Sequence, residues 1–590
     1  MPAGEGTPLA RRPTMARRCS LGLVATVALV AGVYACSDPA SELLGQSSPT
    51  PDEPPAAPPP PVAGLDCGDP AAVRATDIRR LNRGELASTL RAALGSTIYA
   101  SVEPALTVMG TDAIRKDPND LPAAFDPSQL EAIDRLSRRA GAAVIESDAN
   151  LQAVAGACSL ADPIAATCAN DFIARLGKQM FRRPLTAADV AAFTTVLQAA
   201  PTGREGVGDV VAAMVLAPEF LYHVELGEGR AGADGKFELT TYEIASRVSY
   251  LLTDGPPDGL LMTAADDGTL SDQAVVGAHV DRLLETEAGR AKVLRFVRYW
   301  LTLERFQGLP TAPAFLAGVD PNGLTAEMLR ELDAYVEFIT YDKRGSFTDL
   351  LTSRRSFAKT PALAKIYGHA LPATPGAEVT TDDAHMGLLL RGPTLADSST
   401  ATHPILRGAF MLRRIACGDI PSPSTADLAA RESLAFTPDP IKYSTAEMTA
   451  QRTSPAACTG CHARINPFGL ALEGFDNLGR ARTEETMFDA SGTKIATHPV
   501  VTSATLKVGD DQPMAVGSGP ELMTALSKTV TAPLCFTRHV FRYYRMEHEG
   551  AADACQLAGM YHAMQDPQGS ILRNIKSSIL NVSLTQRRIQ

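Results

Sequence analysis

From residue 78 onward apolar residues recur mostly at helical spacing, and the gaps between the periodic stretches carry helix stops and starts. Residues 78–94 hold one such stretch, ended by Gly95. Ser128-Gln129-Leu130-Glu131 reads as a capping box ahead of Ile133, Leu136 and Ala140. A helix over 171–180 meets Pro184, and Thr186 with Asp189 opens the next one. The pattern continues over 208–224 and breaks in the Gly-rich stretch 227–235. It then restarts at the capping box Thr240-Thr241-Tyr242-Glu243, with Ile244, Val248, Leu251 and Leu252 on one face. Further helices are predicted over 271–285, over 288–303 with Trp300, and from Thr325 through Leu329, Leu332, Val336 and Ile339. Only 378–381 and 493–502 alternate weakly enough to read as short strands. The predicted fold class is mainly α, a multidomain helical protein with few short strands.

The first 66 residues follow a different logic. Arg17 and Arg18 stand after Met15 and before the apolar run 21–35, which is short for a spanning helix and has the build of an export signal. The run ends in Val33-Tyr34-Ala35-Cys36, similar to a bacterial lipobox, which makes Cys36 the expected lipidation site; a plain secretory signal is the alternative. Residues 36–66, rich in Pro and Ala, read as an extended tether. The remaining breaks give helical domains over 67–170, 171–228 and 236–375, a segment 385–483, and a C-terminal helical domain over 484–590. The expected location is exported: a periplasmic, outer-membrane or cell-surface lipoprotein. The formal charge of −11 and the lack of a basic block outside the N-terminus exclude a nucleic-acid partner.

Chemistry is spelled out in one place, Cys458-Thr459-Gly460-Cys461-His462. This C-x-x-C-H spacing is the attachment signature of one covalent haem c: two thiols form thioethers and the imidazole of His462 becomes the proximal iron ligand. With ten Cys and ten His in 590 residues, chance would produce the pattern roughly 0.003 times. A disulfide or redox pair and half of a zinc site are the other readings, and the absence of a second close Cys or His pair counts against zinc. The sixth iron ligand is open among His403, Met487, His498, Met514, Met523 and Met546, with Met487 or Met523 leading. Residues 465–469 are expected to turn beneath the haem and offer a backbone carbonyl to the proximal imidazole. Glu473 and Asp476 read as a solvated helix face, or else as acid/base groups. No Ser-His-Asp order, phosphate-binding Gly-rich loop or H-E-x-x-H is present.

Apart from Cys19, Cys36 and the haem pair, six cysteines remain. Loop length predicts Cys158–Cys168 and Cys535–Cys555, leaving Cys67 with Cys417 by elimination.

Several stretches together carry a resemblance: Arg80 to Leu86; Phe181 to Thr186; Pro218 to Tyr222; Tyr242 to Leu252; Pro404 with Arg407-Gly408; and Cys458 to His462 followed by Ile465 to Gly469 and Leu472 to Asp476. Over about 79–588 the chain resembles the large exported proteins of planctomycetes and myxobacteria built from a series of domains of unknown function that accompany planctomycete-type cytochrome c. It departs at Thr253, where an aromatic residue is usual, and at Tyr543-Tyr544-Arg545. The resemblance implies export, a covalent haem and a small cytochrome c-like segment near the C-terminus, and supplies no substrate. Extracytoplasmic electron transfer with a redox partner protein is the expected function. A haem-dependent oxidoreductase and a haem-free surface binding or scaffold protein are the alternatives.

Overall fold

The computed structural model describes residues 60–69, 72–110, 124–306, 308–374, 377–422, 424–425, 439–489 and 491–589. The apolar run 21–35, the lipobox with Cys36 and the tether as far as residue 59 lie outside the described residues. Among the described residues no helix is long and apolar enough to cross a membrane.

Helices α1 (Arg83–Leu94), α2 (Pro127–Ile145), α3 (Ala166–Phe181), α4 (Ala187–Ala199) and α5 (Gly203–Leu216) bury one apolar face each in a shared N-terminal core. Asn82 and Thr186 cap α1 and α4 through reciprocal boxes with Glu85 and Asp189. The cap of α2 is Asp126, two residues before the predicted Ser128. Pro127 occupies the first helical position, and the Asp126 carboxylate accepts both the Gln129 N–H at 2.9 Å and the Ser128 hydroxyl at 2.6 Å. At Gly141 an added Cβ would fall 2.4 Å from the Gly208 carbonyl oxygen, so α2 and α5 cross almost backbone to backbone.

A second core gathers α6 (Thr241–Thr253), α7 (Gln273–Glu285), α8 (Glu287–Trp300) and α9 (Leu324–Glu337) with the C-terminal helices. Trp300 is fully buried; its indole N–H donates to Arg414 O at 2.8 Å and its ring meets Phe536 edge-on. Tyr250 on α6 belongs instead to the N-terminal core, where its hydroxyl pairs with Thr89 at 2.5 Å.

The strands are short. β1 (Ala75–Thr76) and β2 (Lys236–Glu238) flank β9 (Gln586–Ile589), parallel and antiparallel to it respectively. β3 (Arg355–Ser356) pairs with β4 (Val379–Thr380), β5 (Glu484–Phe488) with β6 (Lys494–Pro499), and β7 (Ala504–Leu506) with β8 (Met514–Val516). β4 and β6 fall within the two stretches predicted to be extended.

Cys158 and Cys168 are joined. The other two bridges correct the pairing expected from loop length: Cys67 bonds to Cys555 and Cys417 to Cys535. Cys535 faces the turn after Met411–Ile415, which packs on its helix, while Cys555 faces the N-terminal segment. Tertiary packing therefore decides both partners.

Candidate haem-attachment site

Five further helices complete the description around the motif: α10 (Pro404–Phe410), α11 (Thr445–Thr453), α12 (Ala456–Ala471), α13 (Gly519–Ser527) and α14 (Thr531–Arg545). The whole C-x-x-C-H lies in the first two turns of α12. Pro455 precedes the helix, and its carbonyl accepts the Cys458 N–H at 2.8 Å. Cys458, Cys461 and His462 stand at i, i+3 and i+4, so one helix face carries all three. Cys458 is half-buried and Cys461 exposed, and both thiols are free, whereas the other six described cysteines are disulfide-bonded.

The two halves of α12 differ sharply. Ile465, Phe468 and Ala471 are buried in the second core, while no residue from Ala456 to Arg464 is buried among the described residues. Two glycines seat the buried half on α10. A Cβ on Gly469 would lie 1.8 Å from Pro404 O, and one on Gly408 would lie 2.1 Å from Ile465 O. Arg407, buried between these helices, donates to the carbonyls of Leu395, Leu472, Phe475 and Asp476 at 2.8–3.1 Å. It thereby satisfies the carbonyl of Leu472, the C-cap of α12, and ties it to the loop that follows and to Leu395.

Residues 465–469 continue the helix through Pro467 and make no turn. The partner of the His462 imidazole is the side chain of Asn466, one helical turn later, at 3.1 Å from Nδ1. The tautomer follows from the next links. Thr453 Oγ1 donates to Thr449 O at 2.8 Å, so it accepts from Asn466 Nδ2 at 2.9 Å. Asn466 Oδ1 is then the atom facing the ring, Nδ1 carries the proton, and Nε2 keeps its lone pair free for a metal. Nε2 has no partner among the described residues. Two free thiols and an imidazole so oriented, on an uncovered helix face, fit a c-type haem.

Glu473 and Asp476 are 2 % and 7 % exposed, which corrects the solvated-face reading. Glu473 accepts from Thr402 Oγ1 at 2.5 Å and from Arg482 at 3.0 Å, with Arg407 at 3.5 Å. Burial pushes its carboxyl above the usual range against the pull of both arginines. Asp476 accepts the N–H groups of Leu478 and Arg480 and the Arg480 guanidinium at 2.6–3.0 Å. Both carboxylates hold the loop after α12.

The candidate sixth ligands are dispersed. Met487 is on β5 at 5 % exposure and Met523 on α13 at 0 %. The main packing partners of α12 are α10, Met411–Ile415, β7 and α11 rather than either of their elements. His498 Nε2 is engaged with Pro440 O at 3.0 Å, Met514 pairs across from Leu506, Met546 terminates α14, and His403 is the exposed residue before α10. Asn466 is the site residue that sequence reading missed. Its signal was the four-residue spacing from His462, obscured by Pro467 beside it.

Three family models match the chain in succession, each described as a protein of unknown function: PSD5 (DUF1595) over residues 168–225, PSD4 (DUF1592) over 239–369 and PSCyt3 (DUF1588) over 385–485. The last contains Arg407, the Cys458–His462 motif, Asn466 and Glu473. Neither a curated protein nor a solved structure matches the chain. The three domains are those of the cytochrome c-associated series of domains of unknown function that the sequence motifs resemble, and the chain carries them in succession over residues 168–485.

Proposed function

We propose that this is an exported c-type haem protein that transfers electrons outside the cytoplasm, held at a membrane by a lipid on Cys36. The observation that carries the reading is the uncovered face of α12, where Cys458, Cys461 and a His462 ring with an open Nε2 stand together. The bound haem would supply one-electron iron chemistry. The chain's own work is attachment and orientation. Cys458 and Cys461 would hold the haem through thioethers to its two vinyl groups, and His462 would ligate its iron. Asn466, locked by Thr453, holds the imidazole in the ligating tautomer, and the Gly408–Gly469 crossing fixes the direction of α12. Exposed Thr459, Gly460 and Cys461 leave that edge open to a redox partner protein.

In a host with c-type maturation machinery the protein should carry haem that survives acid and denaturant. Cys458→Ser with Cys461→Ser should abolish it, and a folded wild-type protein that acquires no covalent haem refutes the reading. Cys36→Ser should release the protein from the membrane fraction. A second reading, an oxidoreductase with an open iron position acting on an extracellular substrate, is favoured by the burial of Met487 and Met523. A high-spin spectrum that binds carbon monoxide supports it, and a six-coordinate low-spin spectrum supports electron transfer.

A further inference from the structure

Far from α12 in sequence, segments from both ends of the described chain enclose a small, partly open pocket of about 40 Å³. Its walls come from Arg74 beside β1, Arg247 on α6, Arg545 at the end of α14, and Arg587 on β9, with the acids Glu547 and Asp553 on one side. Three of these guanidinium groups are matched. Arg247 grips Glu225 with two bonds at 2.7 and 2.9 Å, and Arg587 shares the same carboxylate at 2.7 Å. Arg74 donates to Glu547 at 2.8 Å and lies 3.6 Å from Asp553.

Arg545 is the exception. It is 9 % exposed, and its Nη2 donates to the Ser583 hydroxyl at 2.6 Å. Its nearest carboxylate oxygen, on Glu547, is 3.9 Å away. Its Nε and Nη1 have no hydrogen-bond partner among the described residues. Three more buried polar atoms of the same walls share that condition, Arg74 Nε, Arg587 Nε and the Gln586 amide oxygen, although both of those guanidinium groups are hydrogen-bonded to carboxylates and that of Arg545 is not. Burial and the neighbouring Arg247 disfavour the charged form of Arg545, with Glu547 and Asp553 pulling the other way. A buried, always-charged fork with unused donors in a cavity is the arrangement that receives a carboxylate or a tetrahedral oxyanion.

We propose that this pocket binds the oxyanion group of a small ligand, with Arg545 as its principal partner, Arg587 as a second donor and the Gln586 amide oxygen accepting from a hydroxyl or amine beside that group. The site is independent of the haem face, and its occupancy needs no haem.

The test uses the full chain with its disulfides formed, titrated calorimetrically with acetate, sulfate and inorganic phosphate against chloride at matched ionic strength. Saturable one-to-one binding of at least one probe is expected. Acetate alone marks a carboxylate ligand, and sulfate or phosphate marks a tetrahedral one. Arg545→Gln, folded by circular dichroism, should lose at least ten-fold in affinity, and Arg545→Lys should fall between. In the wild type, phenylglyoxal labelling of Arg545, read by peptide mass spectrometry, should be slowed by the bound probe, which keeps the test valid if the variants fail to fold. No saturable binding of any probe, unchanged affinity in folded Arg545→Gln, or labelling of Arg545 unaffected by saturating probe would overturn the proposal and leave the cavity to water.

Discussion

Replacing Gly469 by Ala probes the crossing that aims α12. The new Cβ would stand 1.8 Å from Pro404 O, 2.5 Å from its carbonyl carbon and 2.9 Å from its Cα. All three obstacles are backbone, so no side chain can swing away. Restoring ordinary contact needs a retreat of roughly 1.5 Å, since nonbonded atoms settle near 3.5 Å. Overpacking of this kind costs about 1–3 kcal/mol, and a backbone obstacle places it at the upper end. Ala returns about 1 kcal/mol of helix propensity. The retreat also stretches the Arg407 bonds to Leu472, Phe475 and Asp476, now 2.9–3.1 Å, and a charged hydrogen bond contributes about 1.5–3 kcal/mol. The net loss should be about 3–4 kcal/mol. Urea unfolding followed by circular dichroism reads it as a lower midpoint with an unchanged slope. Gly408→Ala with Gly469→Ala should lose less than the two singles combined, because both disturb one crossing. Gly259→Ala, at the first position of the helix Gly259–Asp266 with nothing within 4 Å of the new Cβ, is the control and should be at least as stable as the wild type. A Gly469→Ala protein within about 0.5 kcal/mol of wild type would refute the close approach of α10 and α12.

Acid should weaken the fold through two buried imidazoles, because burial first, and then nearby arginines, lower His223 to about 4 and His539 to about 3. The unfolded chain takes up those protons below about 6.5 and the folded one does not. Each histidine therefore contributes stability that is full above that pH and lost as pH falls, about 2 kcal/mol by pH 5. His539→Gln should flatten this part of the stability–pH curve, and an unchanged curve would count against a neutral buried His539. Arg391 and Glu331 form a fully buried ion pair, so Arg391→Met alone should cost about 3–5 kcal/mol, and Arg391→Met with Glu331→Leu distinctly less, in a double-mutant cycle. Non-reducing peptide mapping should recover Cys67 linked to Cys555 and Cys417 linked to Cys535; a Cys535–Cys555 peptide would contradict the packing of α14. Chain entropy puts an upper bound of about 6 kcal/mol on what Cys67→Ala with Cys555→Ala removes, given their 488-residue separation.

Local order was legible in the sequence wherever a cap and a period agree. The Thr186–Asp189 and Thr240–Glu243 boxes start helices where they were predicted, and the buried face of α6 carries Ile244, Val248, Leu251 and Leu252. The residues of the candidate site could be named from the sequence, since five consecutive positions spell the C-x-x-C-H spacing, and α12 carries Cys458, Cys461 and His462 on one face. The support of that site was not legible. Asn466 acts through helix geometry that Pro467 masks, and Glu473 is buried because Arg407, from another helix, and Arg482 close over it. Strands of two to four residues, such as β1 and β9, have too little alternation to register. The cysteines show the same limit: nearness in sequence favoured Cys535–Cys555, and packing of distant segments decided otherwise.

The clasp of β1, β2 and β9 has a consequence for the order of assembly. A ribosome delivers β1 first, yet the Asp77 carbonyl beside it waits for a guanidinium 510 residues later, and Cys67 waits for Cys555. The N-terminal bundle has its own core and can consolidate early, whereas contacts of such separation close last. Arg545, Ser583 and Arg587 arrive together at that final step, so the arginine pocket exists only in molecules whose two ends have met. Any ligand that fills it acts as a latch on the finished fold, slowing release of β9 and the exposure of the chain to proteases that follows.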